Sequence, residues 1–104
     1  MTFSQAKSVC EDKGAFLPEP RTEAMRNLMR QSLDFPKLFY LGLTYIADKR
    51  QYVWATDNAT VSNFDWKDGH PRGRKSDDCV RRGPDGWCDR SCLKGYYIVC
   101  QKRE

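Results

Sequence analysis

The chain carries a single histidine among 104 residues, and its cysteines form no recurring Cys-x-x-Cys pairs. Those two absences exclude a metal finger of ordinary spacing. No apolar run approaches the roughly 18 residues that a membrane span needs, so membrane insertion is not expected. No leader-like stretch precedes Thr2, so export of this protein implies that a leader has been removed. Neither an internal repeat nor a low-complexity linker divides the sequence, and residues 1–104 read as one domain with one modest core. The net charge of +4 is small. It points to weakly anionic partners and away from nucleic acid.

What is present is bulky and cross-linkable. Three Trp, five Phe and five Tyr supply core material, and five Cys are many for this length. Such usage fits a disulfide-stapled extracellular domain, although the count alone assigns no pairing. The first half reads as helical. Phe3, Ala6, Val9 and Cys10 share a face, Thr2-x-x-Gln5 has the form of a capping box, and Gly14 supplies a stop. A second helix restarts in "EPRTEAMRNLMRQSL", capped by Thr22, with Met25, Leu28 and Met29 at core spacing. After Phe35-Pro36 the period changes. "LFYLGL" and "QYVWAT", separated by the charged "ADKR", predict a hairpin, and "GYYIVC" near the end predicts a buried strand. Residues 57–90 are poor in aliphatics and rich in Gly, Pro, Asp, Asn and Arg. A loop of that length inside a compact domain is expected to be functional or mobile.

The order of these pieces carries a resemblance. A helix bearing Cys10, then "FYLGL", "VWATDNATVSNFDW", "W-x-x-G-x-P", "DDCV", "W-x-D-x-x-C" and "YYIVC" together resemble the C-type lectin-like domain from about Phe3 to Cys100. The resemblance implies an α+β fold, with two helices flanking small antiparallel sheets and a long irregular loop region. It also implies disulfides Cys10–Cys100 and Cys79–Cys92, leaving Cys88 unpaired as an odd thiol or an intermolecular link. Closing such loops is worth about 3–5 kcal/mol in the chain-entropy model. "YLGL" stands where the family has a core strand, and Trp54, Trp66 and Trp87 match packing positions. The strand that family members carry before the first helix is missing here, so an open sheet edge is expected, favouring pairing with a second chain or a missing segment.

Sugar-binding members hold calcium with a Glu-Pro-Asn or Gln-Pro-Asp triplet, a later acid and an Asn-Asp pair. Here the triplet position reads His70-Pro71-Arg72, the later acid is Asp77, and the pair is Cys88 and Asp89. Calcium needs six to eight hard oxygen donors, and a guanidinium repels it. The calcium site therefore reads as degraded, with Asp77, Asp78 and Asp89 as its remaining carboxylates. Zinc is a second candidate, since His70, Asp77, Cys88 and Asp89 offer nitrogen, thiolate and carboxylate ligands. The third reading is electrostatic. Arg72, Arg74, Lys75, Arg81, Arg82 and Arg90 crowd the recognition loops of the matching fold, and Arg grips sulfate, phosphate or carboxylate through paired hydrogen bonds. The residues expected to touch ligand are His70, Arg72, Arg74, Lys75, Asp77 and Asp89. Asn58-Ala59-Thr60 is an N-glycosylation acceptor.

Catalysis is not expected. A Cys88–His70 pair has no orienting third residue, and the spacing of Cys88 and Cys92 is not that of a redox pair. The expected activity is secreted or extracellular recognition of carbohydrates on cell or microbial surfaces, as in innate pattern recognition, with anionic glycans favoured. The alternative is a protein-binding or homodimer-forming domain that binds no sugar.

Overall fold

Thr2 and Gln5 close the first turn of helix α1 (Phe3–Asp12) as the sequence predicts. The Gln5 N–H donates to the Thr2 hydroxyl, and the Thr2 N–H donates to the Gln5 side chain at 3.1 Å. In this computed structural model, which describes residues 1–32 and 38–102, α1 buries Ala6 and Cys10 and ends before Gly14, whose positive φ of 70° suits glycine. Strand β1 (Ala15–Phe16) follows. Helix α2 (Glu23–Ser32) is capped by Thr22, whose hydroxyl accepts from the Met25 N–H at 3.1 Å. Met29 packs on the core, but Leu28 is 60% exposed, contrary to the expected core spacing. Met25 and Met29 lie one turn apart on the inner line, and Leu28 sits about 100° away from Met29 around the helix. The Phe35-Pro36 break lies outside the described residues.

The hairpin forms where the sequence places it. Strands β2 (Phe39–Ile46) and β3 (Gln51–Trp54) flank a turn at residues 47–50, in a register that sets Tyr45 opposite Tyr52. Residues 57–90 are not wholly irregular. They contain a second hairpin, β4 (Cys79–Gly83) and β5 (Gly86–Arg90), so the irregular stretch ends before Cys79. The main sheet runs β3-β2-β4-β5, all antiparallel, and β1 pairs with β6 (Gln101–Lys102) in a small second sheet.

Alternation along β2 gives the sheet two buried faces. Phe39, Leu41 and Leu43 join Trp54, Val61, Val80 and Trp87 on one face, while Tyr40 meets Ala6, Cys10, Leu17 and Cys79 on the other. Trp66 leans on Trp87 in an edge-to-face contact, so all three tryptophans are packing residues. Gly42 is required by close approach. A Cβ there would meet the Leu17 carbonyl oxygen at 2.8 Å and the Glu19 side chain at 3.1 Å. The Tyr40 hydroxyl donates to the Lys94 carbonyl at 2.6 Å and lies 3.0 Å from that of Ser91. Burial, with Tyr96 alongside, pushes its pKa up to about 12, so it remains a donor.

Disulfides join Cys10 to Cys100 and Cys79 to Cys92, and Cys88 is a buried free thiol. The "GYYIVC" stretch departs from its expected form. It is not a buried strand: Tyr97 makes one isolated parallel bridge to Phe39 and is 59% exposed. Its other pairing is with the first residue, where Met1 nitrogen donates to the Tyr96 carbonyl and the Tyr96 N–H donates back.

Candidate ligand groove

Asp89 is the fixed point of the loop before β4. It lies within β5, fully buried, and its carboxylate accepts from the Arg72 N–H at 2.9 and 3.1 Å and from the Gly73 N–H at 2.9 Å. His70 Nδ1 stands 3.1 Å from the same carboxylate, so with Asp89 ionised this nitrogen carries the proton and donates. Burial pushes the Asp89 carboxyl up. The donors from Arg72, His70 and Gly73 outweigh it and hold the carboxyl below its ordinary value. The chain reaches this anchor through a cis His70-Pro71 peptide, with Gly73 in the left-handed region.

Anchoring by backbone turns the side chains outward. Arg72, Arg74, Lys75, Asp77 and Asp78 line an open groove of about 560 Å³ whose wall includes the half-buried rings of Tyr45 and Tyr52. The two ring centroids are 5.1 Å apart, and Tyr52 also packs on Phe64 and Trp66. Burial, aided by the charges of Asp89, Asp78 and Asp77, pushes the Tyr52 pKa up to about 12, so its ring stays neutral.

The groove therefore keeps four of the six residues expected to touch ligand, namely Arg72, Arg74, Lys75 and Asp77. The other two are turned inward. The His70 side chain is 3% exposed and that of Asp89 is fully buried, so both position the loop and contact nothing outside it. The basic cluster also divides. Arg82 is buried over the Phe39 ring and donates to the Met29 carbonyl, and Arg81 lies on the opposite face of β4 over Tyr96. Arg90 donates to the Asp89 carbonyl. Neighbours in a strand point to opposite faces, which the run of charges conceals.

The metal expectations fare differently from the groove. Cys88 and Asp89 are adjacent in β5 and face opposite sides of the sheet, so the thiol cannot join His70 and Asp89 around one zinc ion. Among the described residues no three His, Cys, Asp or Glu side chains converge as a metal site requires. The donor chemistry also misfits calcium, because Asp89 is filled by N–H groups and Arg72 brings a cation. At 2% exposure Cys88 is equally unsuited to an intermolecular disulfide. Asn58 is exposed at a turn with φ 58°, open to modification.

Two features escaped the sequence reading. Tyr45 and Tyr52 follow from folding the hairpin about "ADKR", which pairs them directly. Glu19, 3% exposed, accepts from Arg21, the Thr56 N–H and the Thr56 hydroxyl, and Arg21 reaches on to Asp57. Nothing in "PEPR" marks that buried polar node.

The comparisons with known proteins agree. The model of the Lectin C-type domain matches residues 1–102. The mannose-binding protein of Gallus gallus is 29% identical over 91% of this chain, and the match spans 38% of that protein's length. The carbohydrate-recognition domain of mouse scavenger receptor C-type lectin superposes with a TM-score of 0.85 at 24% identity, over 99% of this chain and 84% of that one. The domain of murine dendritic cell inhibitory receptor 2, solved with an N-glycan, gives 0.83 at 23% identity, over 99% and 83%. At those identities the structural likeness speaks for the fold.

Proposed function

The chain belongs to the C-type lectin domain family, and from that membership we propose that it is an extracellular binding module for carbohydrates on cell or microbial surfaces, working without calcium and favouring anionic glycans. The observation that carries this reading is the groove. Three cations, Arg72, Arg74 and Lys75, stand beside two tyrosine rings in an open cleft anchored from below by Asp89. Guanidinium groups offer paired N–H donors to sulfate, phosphate or carboxylate, and tyrosine rings offer an apolar face to a sugar. Three of the positions matched to metal-holding residues, His70, Arg72 and Asp89, bond to one another and hold the loop here. Asp89 is charged and filled by hydrogen bonds, so loop order needs no cation. No helix of the described residues is long and apolar enough to cross a membrane. His70 bonds to Asp89 while Cys88 lies on the opposite side of β5, so these two form no nucleophile–base pair.

A glycan screen with and without chelator tests this. Sulfated or phosphorylated glycans are expected to bind equally in both, to weaken with added salt, and to lose about tenfold in affinity in R72Q/R74Q. Binding that vanishes on chelation would overturn it.

One observation favours the second reading, protein binding or dimer formation. Met1, Leu93 and Tyr97 are large apolar side chains exposed at 49%, 82% and 59%. A blank screen, with light scattering at twice the monomer mass, would select it.

A further inference from the structure

The groove is not uniformly basic. Asp77 and Asp78 line it together with Arg72, Arg74 and Lys75, yet none of these five side chains forms an ion pair or hydrogen bond with another. Opposite charges that share a cleft while staying unpaired leave both signs of charge open to a ligand. A purely anionic ligand would satisfy the cations and be repelled by the two carboxylates. The aromatic wall adjoins the carboxylates: the Tyr45 N–H donates to the Asp78 carbonyl at 2.9 Å, and the Tyr45 and Tyr52 rings lie 5.1 Å apart in the same cleft. Neutral tyrosine faces flanked by carboxylates are the surroundings that hold an alkylated ammonium, and a guanidinium pair is what holds a phosphate. The volume of about 560 Å³ is that of a small-molecule site.

We propose that the groove takes a zwitterionic headgroup, an ammonium joined through a short alkyl bridge to a phosphate as in phosphocholine, with the ammonium against Tyr45, Tyr52, Asp77 and Asp78 and the phosphate on Arg72, Arg74 and Lys75. This rests on the reading of the groove as the ligand site and narrows the anionic class to one that also carries a cation. Such headgroups occur on lipids and as decorations of polysaccharides, and the chemistry recognised is the same.

Titration calorimetry of the wild type, D77N/D78N and R72Q/R74Q with phosphocholine, inorganic phosphate and a sulfated disaccharide tests it. Phosphocholine is expected to bind about tenfold more tightly than phosphate. D77N/D78N should remove that preference and bind the sulfated disaccharide more tightly than the wild type. Asp78 is exposed, Asp77 is half-buried in the groove lining, and neither side chain makes a hydrogen bond or ion pair among the described residues, so circular dichroism should show the variant folded. Equal binding of phosphocholine and phosphate, or tighter phosphocholine binding in D77N/D78N, overturns the proposal. If R72Q/R74Q still weakens the sulfated disaccharide in that case, the anionic reading stands without it. If R72Q/R74Q alters neither ligand, the groove is not the site and both fall. Capture by a phosphocholine–albumin conjugate alone assigns a soluble or saccharide source. Capture by phosphatidylcholine vesicles as well extends it to lipid, and either result supports the proposal.

Discussion

Replacing Asp89 by asparagine would remove one charge and turn one accepting oxygen into a donor facing the Arg72 and Gly73 N–H groups. Leaving such buried donors unmatched costs about 2–3 kcal/mol. D89N is therefore expected to lower stability by about that amount in urea unfolding and to abolish groove binding. The same group sets an acid limit. Because its folded pKa lies below the ordinary carboxylate value, its stabilisation is complete above that range and is lost as pH falls through the depressed folded value. Stability measured from pH 7 downward should hold to the ordinary carboxylate range and then decline, and D89N should show a shallower decline, with the part due to Asp57 beside Arg21 remaining. None of this was legible in "WCDRSC". The sequence shows an acid beside an odd cysteine, and only strand pairing reveals that the acid points at the loop while the thiol points away.

Among the elements, the β2–β3 hairpin was readable because aromatic and β-branched runs flank a polar turn. The β4–β5 hairpin was not. Its apolar residues are few, and Arg81 and Arg82 sit in a strand paired on both sides, where tertiary contacts override composition. Its turn is also unusual. Gly86 has φ 125°, and a Cβ there would meet the Asp65 carbonyl oxygen at 2.8 Å. In β2 the close approach of residues 17–19 makes Gly42 the sensitive position. Gly42→Ala is expected to cost about 2 kcal/mol through displaced backbone, read as a lower midpoint in guanidinium unfolding with an unchanged slope.

For the whole molecule, the ordered set of motifs made the fold and four groove residues legible, while the tyrosine wall and the inward turn of His70 and Asp89 stayed hidden because they depend on which atoms the folded chain faces inward. The disulfides divide stability unequally. Cys10–Cys100 spans 90 residues and Cys79–Cys92 spans 13, so chain entropy assigns about 4.5 kcal/mol to the first and about 3 kcal/mol to the second. Replacing each pair by serine should reproduce that order in thermal unfolding. Near-equal losses would mean that the reduced chain keeps native-like contacts across the long loop. The anchoring of the groove has a last consequence, for evolvability. Arg72 and Gly73 meet Asp89 through their peptide N–H groups, which every residue except proline possesses. Fold and specificity are written in different atoms of the same loop. Positions 72, 74, 75, 77 and 78 can then be varied together, by selection or in a library, with little loss of folding, and proline at 72 is the substitution such a library should reject.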